Sequence, residues 1–222
     1  MKLPKLKPFT LPLAALVLLA VSTIAQTDLD AAIKQFEAKN YAEAKTVFEQ
    51  AFNADQKNAV AAFYLGRIAF QQNKTDDAVR WLETAVKLRD DNSGYHHWLG
   101  QAYGKKALAA TMLNRASLAA KVKDELLKAV SLDASNWEAR ADLAKFYAEV
   151  PAFLGGSSEK AFEQVELIKK TNPLQGWLVA GELLANQKKN ANAERAYLEA
   201  EKLQSGEFEA TMKLGRFYQQ VK

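Results

Sequence analysis

The sequence has no cysteine, five prolines and two histidines in 222 residues. Without a thiol there is no disulfide, no thiolate nucleophile and no cysteine-based zinc site, and either redox compartment stays open. The two histidines, His96 and His97, are adjacent, and neighbours on a helix diverge by about 100°. They are not expected to share a metal; a polar or half-buried aromatic pair beside Tyr95 and Trp98 is expected instead. A glycine-rich phosphate loop ending in Lys-Ser or Lys-Thr, a serine nucleophile elbow and an HExxH helix are also missing. Gly155-Gly156 reads as turn chemistry, and Asp76, Asp77, Asp90 and Asp91 sit at loop ends where caps explain them. No catalytic, cofactor-binding or metal-binding residue is assigned, and the chain is not expected to be an enzyme.

Excess charge is scarce too. The net charge is +4, from 30 basic and 26 acidic residues. Lys2, Lys5 and Lys7 belong to an N-terminal stretch with no acid, and setting those three aside leaves 27 basic groups against 26 acidic ones. Nucleic-acid binding loses its main electrostatic support, and no nucleic-acid partner is expected. The one long apolar run, LPLAALVLLAVSTIA, follows those lysines, is short for a bilayer span and ends in the small side chains that signal peptidase needs. Residues 1–25 are expected to be a cleaved secretory signal, with Gln26 as the new N-terminus or a cut after Ser22 as the second choice. An uncleaved anchor is the alternative. No cysteine follows for lipidation. A short lysine-rich leader fits a bacterium, so a periplasmic or secreted protein with no stable membrane insertion after cleavage is expected.

At 49% hydrophobic residues with few glycines and prolines, the rest of the chain can bury a sizeable core. Its most regular stretch, Ala59 to Asn92, has Leu65-Gly66 at positions seven and eight, Ala78 at twenty, Leu82 at twenty-four and Ala85 at twenty-seven. Phe63, Leu65 and Ile68 give one helix its apolar face and Val79, Leu82 and Val86 give the next, more than one hairpin can bury. This 34-residue pattern resembles a tetratricopeptide repeat. Tyr41, Ala44, Phe48 and Ala51 match it in residues 26–58; Trp98, Leu99, Gly100 and Tyr103 in 93–136; Leu143, Tyr147, Ala161 and Pro173 in 137–173. Trp177, Gly181, Ala193, Tyr197, Ala200 and Leu203 match it in 174–207. Residues 208–222 repeat the first helix with Leu214, Gly215 and Tyr218, as a cap. The resemblance implies an all-α fold: a right-handed superhelix of stacked antiparallel hairpins, about five repeats plus a C-terminal capping helix, forming one α-solenoid domain over 26–222.

The period breaks twice. Residues 93–136 run ten over, with the surplus between Gly104 and Leu118, which predicts both helices extended by about a turn or more and a protruding hairpin turning near Asn114. The next unit carries about five extra residues in Val150 to Ser158, where Pro151 ends a helix, two glycines allow positive φ and Ser157 or Ser158 can cap the helix that follows. Its Phe153 and Leu154 are expected to cover the tip of the extended hairpin. A partner-binding knob is the other reading of that tip.

What the resemblance implies for function is binding. The groove positions of such repeats fall here on Phe63, Arg67, Phe70 and Gln71, on His97, Gln101 and Lys105, on Glu138, Lys145 and Glu149, and on Leu178, Glu182 and Asn186. Aromatics and charges of both signs suit an extended or helical peptide. The Lys and Asn clamp for a C-terminal carboxylate is absent, because Leu29 and Ile33 take its first positions. The expected function is a non-enzymatic protein-binding scaffold or adaptor of the bacterial cell envelope, holding a peptide or protein partner. The candidate contacts are Phe63, Arg67, Phe70, His97, Gln101 and Lys105 in the groove and Leu108, Met112 and Leu113 on the hairpin. The alternative is a small or polymeric envelope ligand, such as a cell-wall fragment, stacked on Trp98, Phe63 and Phe70.

Overall fold

A computed structural model describes residues 28–203 and 208–221. The secretory signal expected over 1–25 lies outside these residues. Among them, every regular element is a helix: α1 (28–37), α2 (Tyr41–Ala54), α3 (Ala59–Gln71), α4 (Thr75–Leu88), α5 (Ser93–Leu108), α6 (Met112–Leu132), α7 (Trp137–Glu149), α8 (Ser158–Thr171), α9 (Pro173–Asn186), α10 (Asn190–Leu203) and α11 (Phe208–Val221), with one 3-10 turn at Ala152–Leu154. The helices pair into successive hairpins. α3 touches α5, α5 touches α7, α7 touches α9 and α9 touches α11, whereas among the described residues no two even-numbered helices bring their backbones as close, α2 and α4 meeting through the rings of Phe52 and Trp81 at 5.0 Å. Odd helices thus form the inner layer of a stacked α-solenoid, and their exposed sides line its concave face.

One residue type starts four inner helices. Asn58, Asn92, Asn136 and Asn172 are N-caps whose side chains accept from the N–H of Ala61 (2.9 Å), Tyr95 (3.1 Å), Ala139 (2.9 Å) and Gln175 (3.2 Å). Each satisfies an N–H that the first helical turn leaves without a partner. The caps stand 34, 44 and 36 residues apart in the sequence, which marks where the period breaks.

Within each hairpin, small residues let the helices close. A Cβ on Gly66 would lie 2.6 Å from Leu82 Cγ, one on Gly100 3.1 Å from Leu126 Cγ, and one on Gly181 2.6 Å from Tyr197 Cε1. Phe48, Ile68, Leu82, Leu99, Leu126, Leu143, Ile168 and Leu178 fill the core between them.

The regular turns share one geometry. Lys39, Asn73 and Lys188 have φ of 64°, 59° and 58°, and the next N–H bonds back across six residues, Asn40 to Gln35 O, Lys74 to Ala69 O and Lys189 to Leu184 O, each 2.9 Å. The equivalent residue of the fourth hairpin is Pro151, whose ring holds φ at −55° and closes this route. The chain instead makes the 3-10 turn, enters the left-handed region at Gly155 (φ 99°) and returns through Gly156, where a Cβ would collide with Val150 O. Ser157 then caps α8 by accepting from Lys160 N–H at 3.2 Å.

Two expectations for the insertions need correcting. The third hairpin turns at Ala109–Thr111, not near Asn114. The growth is unequal: α5 has 16 residues against 13 in α3, and α6 has 21 against 14 in α4. Arg115 donates to the carbonyls of Ala107 and Ala110, both at 3.2 Å, fixing the end of α5 early. Nor does the Val150 to Ser158 loop cover the tip. Its 3-10 turn meets α6, with Gly155 beside Lys123, roughly 16 Å along the helix from Met112 at 1.5 Å per residue. Phe153 is 85% exposed, and Leu108, Met112 and Leu113 are 82, 87 and 86% exposed.

Candidate functional site

The inner helices bring most of the predicted groove residues onto one surface. Arg67, His97, Trp98, Gln101, Glu138 and Lys145 line a cleft of about 710 Å³ between α3, α5 and α7. A second, of about 520 Å³, is walled by Phe70, Leu108, Val122, Leu126, Phe146 and Val150, with Gln101, Lys105, Lys145 and Glu149 around it. A third, of about 380 Å³, lies among Lys145, Glu149, Glu182, Asn186, Lys213 and Arg216. Gln101 and Lys145 belong to the first two and Lys145 and Glu149 to the last two, so the three form one continuous groove along α5, α7, α9 and α11.

Arg67 is the most unusual group in it. Its guanidinium sits between two rings, 4.4 Å from the centroid of Trp98 and 4.5 Å from that of Phe36. Such packing holds a cation against aromatic rings, with the Tyr64 hydroxyl beside it. Among the described residues no carboxylate forms an ion pair with it, and its Nε is buried with no hydrogen-bond partner. Burial lowers its pKa, while the nearby Tyr64 and Tyr41 hydroxyls and the Glu37 carboxylate oppose that.

The inner helices are also tied to one another by polar contacts. Asp142 Oδ2 on α7 accepts from His97 Nε2 and Gln101 Nε2 on α5, both at 2.8 Å. Burial raises the Asp142 pKa, but these two bonds, the His97 ring and the Lys145 charge outweigh it and hold the carboxyl below the usual range. Glu182 on α9 pairs with Lys145 on α7 at 3.3 Å and with Lys213 on α11. Its carboxyl is lowered in the same way, against burial, by the two lysines. The histidines point apart: His96 is buried against Glu125 Oε2 (2.6 Å) and the Asp90 carbonyl (2.9 Å), away from His97. Among the described residues no group of side chains is arranged to hold a metal.

Not every predicted contact is available. Phe63 is buried and stacked on Tyr95 at 4.5 Å, and Leu178 is fully buried, so neither faces the groove. Lys105 faces it but is engaged, donating to the Phe70 carbonyl (3.0 Å) and Asn73 Oδ1 (2.6 Å) above the Phe70 ring. Trp98 meets Phe70 edge-on and carries Arg67 over its ring. Phe63, Trp98 and Phe70 therefore do not form the bare stacking platform a sugar ring needs. Asp142 and Trp137 also line the first cleft and escaped the sequence reading. Trp137 opens α7 beside its cap, and the 45-residue separation of Asp142 from His97 hides their contact.

A family model described as "Tetratricopeptide repeat" matches residues 35–102. No curated protein sequence matches the chain. Among solved structures, a thermophilic TPR protein of Thermus thermophilus is similar at 16% identity and a TM-score of 0.72, over 87% of this chain and 98% of that one. YrrB, described as a TPR protein with an unusual peptide-binding site, is similar at 18% identity and a TM-score of 0.56, over 83% and 89%. Human IFIT1, solved as a dimer with PPP-AAAA, is similar at 20% identity and a TM-score of 0.72, over 89% of this chain and 46% of that one.

Proposed function

We propose that this tetratricopeptide-repeat solenoid is a non-enzymatic scaffold of the bacterial cell envelope, exported by its N-terminal leader, that holds a peptide or protein segment in its concave groove. The observation that carries this reading is Arg67: a guanidinium held between two aromatic rings, with no carboxylate in ion-pair contact among the described residues, facing a cleft that continues into an apolar one. The ligand chemistry that fits is an acidic side chain or terminal carboxylate at Arg67 followed by a large apolar residue in the cleft of Phe70, Val122, Leu126 and Phe146. A relative in fold is described as peptide-binding, which agrees with this use of the surface. Another was solved with PPP-AAAA, but here cations alternate with Glu138, Asp142, Glu149 and Glu182, which argues against a polyphosphate chain.

An array of immobilised peptides of varied sequence tests the proposal. Bound peptides should share a carboxylate and a large apolar residue, and Arg67→Gln should weaken them roughly tenfold or more, the size expected of a lost charge-assisted contact. Gln101→Ala should weaken them less. Retention of the same peptides at full strength by both folded variants would remove the groove from consideration.

A further inference from the structure

The tip of the third hairpin exposes apolar surface that nothing in the described chain relieves. Leu108 closes α5, Met112 and Leu113 open α6, and the three are more than four-fifths exposed around a turn of three residues. Arg115, bonded to the Ala107 and Ala110 carbonyls, holds that turn in shape.

The charges that the hairpin itself carries there have one sign. From Gly104 to Lys123 the chain carries Lys105, Lys106, Arg115, Lys121 and Lys123 and no acidic residue. On the neighbouring α4, Asp76 pairs with Lys106 at 2.7 Å and Glu83 accepts from Tyr103, so the collar keeps a positive excess.

The shape decides between partners. A stable protein interface brings together roughly twenty residues a side on matched surfaces, and a convex point of three side chains offers no such area. A bilayer surface requires less: apolar side chains enter the boundary between headgroups and acyl chains, and cations around them meet anionic phosphates.

We propose that the tip is a lipid-contact site, which inserts Leu108, Met112 and Leu113 into the surface of an anionic bilayer with Arg115 and Lys121 at headgroup level. This is peripheral contact; among the described residues no helix is long and apolar enough to cross a membrane.

The cysteine-free sequence allows a direct test on the full chain. Ala109→Cys places one environment-sensitive fluorophore at the turn, and Ala191→Cys places the same dye on α10 as a reference. With vesicles of phosphatidylglycerol and phosphatidylcholine, the dye at 109 should shift to the blue and brighten roughly twofold or more, as expected on leaving water for the acyl boundary, while the dye at 191 stays unchanged. The response should fall in high salt and on phosphatidylcholine alone, and vanish when Leu108, Met112 and Leu113 are all replaced by Ser. An unresponsive dye at 109 on chain that sediments with the vesicles would overturn the proposal, since binding would then run through another segment. An equal response without lipid, rising with protein concentration, would overturn it in favour of a protein contact.

Discussion

The absent side chain of Gly66 determines how closely α3 and α4 pack. Gly66→Ala should cost roughly 1–3 kcal/mol, because its Cβ would meet a fully buried leucine rather than the free end of a flexible chain. Gly215, in α11, has no neighbouring atom within 4 Å of the same position, so Gly215→Ala should stabilise by about 0.5–1 kcal/mol through helix propensity alone. Urea titrations of the two variants check the opposite signs. Asp142 gives a pH prediction. Its folded pKa lies below the ordinary carboxylate value of about 4, so its contribution is fully present above that value and lost as pH falls through the lowered one. Asp142→Asn should therefore be less stable than wild type at pH 7, with the gap closing as pH falls below about 4, read from urea midpoints. At this scale the sequence was partly legible. Arg67, Gln101 and Lys145 fall on the groove because the repeat fixes their helical phase. Phe63 does not, because Tyr95 of the next hairpin stacks on it, and the four capping asparagines lie outside the pattern of apolar and small residues that carries the repeat.

Among the elements, the turn after α7 shows how one residue redirects a loop. Pro151 forbids the left-handed turn used at Lys39, Asn73 and Lys188, and the chain compensates with a longer path through two glycines. Gly156→Ala should destabilise more than Gly155→Ala: a Cβ at 156 would overlap a backbone carbonyl at 1.6 Å, whereas at 155 the cost is a strained φ beside a flexible lysine. Thermal melting of the two variants gives the order, and equal losses would refute it. The place of both insertions was legible from the broken period. Their form was not: the turn between α5 and α6 is bridged by Arg115, whose bonds to carbonyls five and eight residues away leave no mark in a hydrophobicity pattern.

Across the whole molecule, each hairpin is supported only by its neighbours, and the core divides accordingly into a central cluster, one at α1–α3 and one at α9–α11. Amide exchange should be slowest in α5 and α7 and faster in α2 and α11, with openings that propagate inward; uniform protection along the chain would contradict this. The fold itself was legible almost throughout, since a small residue, glycine or alanine, recurs where the helices of a hairpin cross and every inner face demands a neighbour. The contacts of Asp142 and Glu182 have a mechanical consequence. They tie α5 to α7, α7 to α9 and α9 to α11 on the concave side, so they act as tension ties along the inside of a curved beam, while among the described outer helices no ion pair or side-chain hydrogen bond joins one to the next, α2 and α4 meeting through the Phe52 and Trp81 rings instead. Such a beam resists opening more than closing, and its stiffness depends on two carboxylates that lose their charge in acid.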